Sequence, residues 1–146
     1  MSGINENKRP KVGVGLIIIK NGAHVLLGKR VGAHGEGEYA GVGGHMENGE
    51  SINDTAVREL KEEIGDEIKI KNLRLLCTSN IRKYSPKHYV DFGMAADWVS
   101  GEAKIMEPDK IEGWGWYPIN DLPEPVFEFV RIYIESLRTG QQFFEV

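Results

Sequence analysis

Hydrophobic and polar positions follow two different periods along this chain. Val12 to Ile19 is an apolar, β-branched run and predicts a buried strand. Asn21-Gly22 comes next, a strong hairpin signal, so His24 to Arg30 predicts the returning strand. Val31 to Gly49, VGAHGEGEYAGVGGHMENG, is glycine-rich and predicts a loop whose backbone can approach a ligand closely. From Ser51 the period becomes helical. At ~100° per residue, Ile52, Ala56, Val57, Leu60 and Ile64 fall on one arc. Ser51 is placed to cap this helix, with Asp54 answering it, and Gly65 to stop it. Leu73–Ser79 and His88–Val99 predict strands, with a break at Ser85-Pro86. Ser100-Gly101 predicts a turn and Glu102–Met106 a short strand. Pro125 suits the first turn of a second helix that ends before Gly140. Phe127, Val130, Ile134 and Leu137 form its apolar stripe. The order β-β-α-β-β-β-α predicts an α/β (α+β) fold, a mixed β-sheet covered by helices on both faces.

Composition narrows the class. A chain of 146 residues predicts one domain, here residues 11–146 after a loose polar terminus over residues 1–10. With 40% hydrophobic residues, disorder is excluded for the bulk of the chain. The net charge of −4 argues against non-specific nucleic-acid binding. The single cysteine, Cys77, excludes an intrachain disulfide and sits in an apolar strand as a core thiol. No apolar run approaches the ~20 residues of a membrane span, so no membrane partner is expected. The terminal MSGINENKRP has no apolar h-region, which makes a cytoplasmic location the default expectation.

Candidate chemistry concentrates on the first helix. Glu59, Glu62 and Glu63 stand at i, i+3 and i+4, so their carboxylates share a face beside the apolar arc. Such like charges repel, and more so when partly buried. A divalent cation reverses the sign of that interaction. Oxygen-only donors point to Mg²⁺ or Mn²⁺ rather than zinc. A solvated acidic helix face is the competing explanation for three glutamates alone.

Their surroundings decide between the two. Gly44 to Asp66, GHMENGESINDTAVRELKEEIGD, resembles the signature of the nudix hydrolases, G-x5-E-x7-R-E-apolar-x-E-E-x-G-apolar. Gly44, Glu50, Arg58, Glu59, Leu60, Glu62, Glu63 and Gly65 match it. Seven single-residue requirements at about 7% usage each agree by chance on the order of once in 10⁸ starting positions. Asp66 departs from the apolar end of the pattern, and Ile68 is placed to supply the missing contact. Val42 also departs, standing where many relatives have proline.

The resemblance implies a nudix-type α/β/α sandwich and a Mg²⁺-dependent enzyme, with Mn²⁺ as an alternative metal. It implies hydrolysis of a nucleoside diphosphate linked to a further group. The closest look is to the MutT-like nucleoside-triphosphate diphosphatases, which release a monophosphate and pyrophosphate. Carried over by residue, Glu59 and Glu63 become metal ligands and Glu62 a further ligand or the general base. The Gly44 carbonyl becomes another ligand, while Arg58 and Glu50 pair to orient the carboxylates. An acidic residue from a later loop is expected to join them, Glu112 first and Glu107 as the alternate. Arg30, ahead of Lys29, is expected on phosphate, the two side chains pointing to opposite faces of the strand. Gly43, Gly44 and His45 line the substrate. Asp91 is a candidate for the N–H edge of a base, against a plain solvent-exposed strand-edge charge. Trp114, Trp116 and Tyr117 are either core or stacking residues. The family's habits also suggest a homodimer.

Two other readings stay open. One keeps the enzyme and changes the substrate to ADP-ribose, a nucleotide sugar or a dinucleoside polyphosphate, with Tyr84 as an aromatic candidate. The other is a non-catalytic nucleotide-binding module, against which all the carboxylates are present. An isopentenyl-diphosphate-isomerase role finds no support around Cys77.

Overall fold

In the computed structural model, residues 9–32 and 35–146 are described. Residues 1–8 of the expected loose terminus, and Ala33 and His34 of the glycine-rich segment, lie outside the described residues. The elements are β1 (Lys11–Lys20), β2 (His24–Arg30), β3 (Tyr39–Ala40), β4 (Val42–His45) and α1 (Ile52–Ile64). β5 (Lys69–Ile81), β6 (Tyr89–Ser100), β7 (Ile111–Pro118), α2 (Glu128–Thr139) and β8 (Phe143–Glu145) follow.

Among the described residues the strands form one eight-stranded mixed sheet. Its main path is β3-β2-β1-β6-β5-β8, with β4 also on β1 and β7 on β2. β1 runs parallel to β6 from Lys11 to Ile19. Along its other edge β1 forks. Gly13–Leu16 pair with β4, while Ile19 and Lys20 pair with β2.

Alternation along β1 sends its side chains to two cores. Val14, Leu16 and Ile18 join Leu60 and Ile64 of α1 on one face. Ile17 and Ile19 join Val25, Leu27 and the α2 residues Val130, Tyr133 and Ile134 on the other. The result is the expected α/β/α sandwich. On the α2 face the sheet carries glycine where Tyr133 lies. A Cβ on Gly15 or Gly93 would overlap the Tyr133 ring, whose hydroxyl donates to the Asp91 carboxylate.

The caps of α1 form as the sequence predicts. Ser51 Oγ accepts from the Asp54 amide at 3.0 Å, and Asp54 Oδ2 accepts from the Ser51 amide at 3.2 Å. Gly65, at φ 89°, donates to the Lys61 carbonyl and ends the helix. The apolar arc is shifted from its predicted centre. Val57 is exposed at 37%, whereas Thr55 is buried with its hydroxyl 3.1 Å from both the Ser51 carbonyl and the Glu50 carboxylate. Ile68 is buried against the α1 core, the contact that Asp66 does not make.

Four segments depart from the sequence reading. The glycine-rich stretch is not all loop, since β3 and β4 lie within it. Glu102–Met106 is not a strand, because the Lys104 amide donates to the Ile64 carbonyl at the end of α1 instead of to a ladder. The strand of this region is β7, which carries both Trp114 and Trp116 along β2. Pro125 does not open α2. The Tyr39 amide donates to the Pro125 carbonyl and the Phe127 amide to the Tyr39 carbonyl, which holds 125–127 extended beside β3. The helix begins only at Glu128, with Phe127 at the N-cap rather than in the stripe.

Candidate active site

The site is organised around one guanidinium. Arg58 donates from Nε and Nη2 to the two oxygens of Glu50, at 2.7 and 2.9 Å. Its Nη1 reaches Glu59 Oε1 at 2.8 Å and Glu62 Oε2 at 3.4 Å, and Nη2 reaches the His45 carbonyl at 2.9 Å. Glu50 also accepts the Glu47 amide at 2.8 Å. These bonds, Arg58's first, hold the Glu50 carboxyl down to about 2. The carboxylates in turn push the Arg58 guanidinium further above its ordinary value. One side chain therefore ties α1 to both the preceding loop and the end of β4.

The remaining carboxylates face β4. Glu63 Oε2 accepts the Gly43 amide at 2.8 Å. Burial pushes the Glu63 carboxyl up to about 8, the charges of Glu59 and Glu107 adding to the effect. Burial also raises Glu59, against the opposing pull of Arg58. Gly44 lies so close that a Cβ there would overlap the Glu59 carboxylate. Glycine is what lets the carboxylate rest against the strand backbone.

This arrangement fits a divalent cation. Among the described residues, no three acidic, imidazole or thiol groups already converge as a complete cage. Mg²⁺ does not need one, because it uses one or two carboxylates and takes water and phosphate oxygens for the rest. The donors are all oxygen, and burial opposes the negative charge of Glu59 and Glu63. A bound cation relieves that opposition. Glu59, Glu63 and the Gly44 carbonyl are the groups that could hold it.

The late-loop acids separate. Glu112, the first choice from sequence, pairs with Lys29 at 3.7 Å beside Tyr39 and Tyr117, away from the carboxylates of α1. Glu107 is the acid whose charge acts on both Glu59 and Glu63. The sequence could not separate them, because β7, which the sequence pattern did not predict, decides where residue 112 lies.

Arg30 lies 4.6 Å over the Phe127 ring at the start of α2. Lys29 and Arg30 go to different surroundings, Lys29 to Glu112 and Arg30 to Phe127, and the register shift between Gly28 and Arg30 places its extra residue on β7 rather than on β2. His45 stands 5.9 Å from Tyr89, and burial together with Lys11 and Lys87 lowers its pKa. Asp91 is neither a solvent-exposed strand edge nor open to a base. It is 2% exposed beneath Tyr133, with Oδ1 2.7 Å from where a Gly13 Cβ would stand. Trp114 and Trp116 pack on the α1 core and Tyr117 on the α2 core. Lys20 lies 4.3 and 5.1 Å above the Trp98 and Trp116 rings. Cys77 is buried, as expected.

The sequence reading did not anticipate an aromatic group at the N-terminus of α2. Phe127 stacks on Phe129 at 5.0 Å, and Phe129 meets Tyr84 at 6.2 Å and Tyr89 at 5.8 Å. The Phe127-x-Phe129 spacing was available, but a helical stripe read through it concealed the extended start.

Comparison with known proteins identifies the family to which this fold belongs. The NUDIX domain family model matches residues 9–137. The chain belongs to the NUDIX family. A MutT NUDIX hydrolase from Burkholderia pseudomallei superposes with a TM-score of 0.79 at 34% identity, over 88% of this chain and 98% of that one. A MutT protein from Methanosarcina mazei shares the NUDIX fold, with a TM-score of 0.75 at 18% identity over 92% of this chain and 98% of that one. Among curated relatives, the NAD-capped RNA hydrolase NudC of Erwinia tasmaniensis is 35% identical over 74% of this chain and 39% of its own length. That of Pseudomonas putida is 29% identical over 91% of this chain and 46% of its own length. The NUDIX chain described here thus spans less than half the length of these curated relatives.

Proposed function

We propose that this chain is a divalent-metal-dependent hydrolase of nucleoside diphosphate-linked compounds, with nucleoside triphosphates, split to monophosphate and pyrophosphate, among its substrates. The observation that carries the reading is the Arg58-centred cluster that sets Glu59 and Glu63 against Gly43 and Gly44.

The roles follow from the contacts. Glu59, Glu63 and the Gly44 carbonyl would hold Mg²⁺ or Mn²⁺. The cation, when bound, offsets phosphate charge and favours attack by water. Glu50 and Arg58 keep the carboxylates oriented, as partners of metal-binding groups commonly do. Glu62 has 51% of its side chain exposed and only a 3.4 Å contact to Arg58, so it is open to accept the proton of the attacking water. Glu107 adds an acid from the later loop. Arg30, at the end of β2, receives a phosphate oxygen, and Gly43 and His45 border the path between them.

These groups engage the diphosphate alone, so the linked group is selected elsewhere. The curated relatives named NAD-capped RNA hydrolases favour a second reading in which that group is a further nucleoside. A panel of triphosphates, ADP-ribose, nucleotide sugars and dinucleoside polyphosphates, assayed with Mg²⁺ and with EDTA, tests the proposal. Anhydride cleavage abolished by EDTA is the expected result. Silence across the panel would return the chain to a nucleotide-binding module.

A further inference from the structure

The sheet ends on one side in an open strand. β7 pairs with β2 along one edge, and among the described residues no strand lies on its other edge. The opposite end of the sheet is blunter, since β8 has only three residues. The Ile119 amide donates to the Ala23 carbonyl, which marks that cross-strand pair as hydrogen-bonded. Alternation along the ladder then commits Tyr117 and Gly115 to β2, opposite Val25 and Leu27. Trp116 and Trp114, opposite Leu26 and Gly28, turn their N–H and C=O groups to the outer edge. No backbone group from another described segment meets them there. Pro118, which lacks an N–H, ends the open stretch on one side, and the register shift beside Gly113 ends it on the other.

Natural sheets protect such an edge with charge, proline or shortness. Gly113 to Tyr117 carries neither charge nor proline. The neighbouring charge, Glu112, is already paired with Lys29 of the same chain at 3.7 Å. The open stretch is also complementary to itself. Antiparallel pairing about a twofold axis at Gly115 sets Trp114 opposite Trp116 of a second copy, and Trp116 opposite its Trp114. Every outward N–H then meets an outward C=O, and no like charges face each other. An axis at Trp116 would set Trp114 against Pro118 and lose a donor. An axis at Trp114 would set Trp116 against the register shift.

The side chains agree with the axis at Gly115. There glycine meets glycine in a non-hydrogen-bonded pair, whose Cα atoms approach to ~4.5 Å. Gly113 stands opposite Tyr117 of the second copy. A side chain on Gly113 would meet nothing within 4 Å. A depression of about 420 Å³ opens beside it, with Lys29, Tyr39 and Tyr117 in its wall, and gives an incoming phenol ring room. We propose that two copies of this chain join edge to edge through β7, forming one continuous sheet about a twofold axis at Gly115. Such a contact uses the same patch on both copies and closes on itself. It is independent of the hydrolase reading above.

Sedimentation equilibrium of the full chain tests the proposal, with a dimer of twice the 16.4 kDa chain mass as the expected result. Neither Gly113 nor Gly115 has a left-handed backbone, so both positions accept a side chain's conformation. Gly113→Lys sets a charge against Tyr117 of the second copy and should raise the dimer dissociation constant about tenfold or more, the scale of one interface hot spot. Gly113→Ala should leave it unchanged. Gly115→Cys brings the axis residue within disulfide reach of its own copy. Its Cβ meets only the far end of the Tyr117 side chain, at 3.2 Å. Dissolved oxygen should therefore link this variant into a reducible dimer, while Gly113→Cys, off the axis, should stay unlinked. Circular dichroism establishes that each variant is folded, and the cysteine pair decides alone should lysine unfold the chain. A monomeric wild type overturns the proposal. A dimer that the lysine leaves unmoved, or that Gly115→Cys does not link, has its contact elsewhere and overturns it as well.

Discussion

Arg58 shows how much one side chain can organise. Its planar fork spans Glu50 in two-point fashion while a third nitrogen reaches Glu59. Lysine keeps the charge but not the fork. Arg58→Lys is therefore expected to lower kcat/KM by about 10–100-fold, the usual scale for groups that orient metal ligands. Glu63→Gln removes a proposed ligand itself and should cost more than ~100-fold, with the thermal midpoint held near that of wild type. Steady-state kinetics beside thermal melts checks both, and wild-type turnover in the glutamine variant would sink the metal-site assignment. Asp91 behaves differently, because its consequence is for stability. Burial raises its pKa from 3.8 to about 6, with the Tyr133 hydrogen bond opposing. The folded chain thus holds this proton more tightly than the unfolded chain. Stability from this group is complete below 3.8 and is lost as pH rises through about 6. The difference between those two values corresponds to ~3 kcal/mol. Urea midpoints on either side of that window should fall with pH in the wild type and much less in Asp91→Asn. Parallel profiles would refute the assignment.

At the scale of elements, what the sequence made legible was local. The β1–β2 hairpin follows from Asn21-Gly22, and α1 follows from Ser51, its apolar arc and Gly65. Ser51→Ala should cost ~1 kcal/mol by removing an acceptor from the Asp54 amide. A denaturant titration reads that loss, and an unchanged midpoint would show that the cap is dispensable. The glutamate cluster was legible for the same reason, since i, i+3 and i+4 spacing fixes a shared face once a helix is granted. What failed depended on distant partners. β4 is a strand because Gly13–Leu16 of β1 lie beside it, which no property of Val42–His45 announces. β7 is a strand because β2 is free on that edge. Glu102–Met106 has strand-like residues but meets a helix end instead. Val126 and Phe127 were read as helix from Pro125 and the stripe, and tertiary pairing with Tyr39 overrode both.

For the whole molecule, the two helices bury opposite faces of one sheet, and the proposed chemistry lies at the α1 side of that sandwich. A cation that binds the folded chain and not the unfolded one raises its stability, by ~2.7 kcal/mol at one hundred times the dissociation constant. Magnesium should therefore raise the melting temperature of the wild type, and EDTA should reverse the rise. Glu63→Gln should show a smaller rise, and an equal one would place the cation elsewhere. The fork along β1 sets how the chain loses activity on heating. One strand hydrogen-bonds both to β4, which carries Gly43 and Gly44, and to β2, which ends in Arg30, so both lose their support together when β1 leaves the sheet. Inactivation and global melting should share a single midpoint, and the amides of β1 should be among the last to exchange with deuterium.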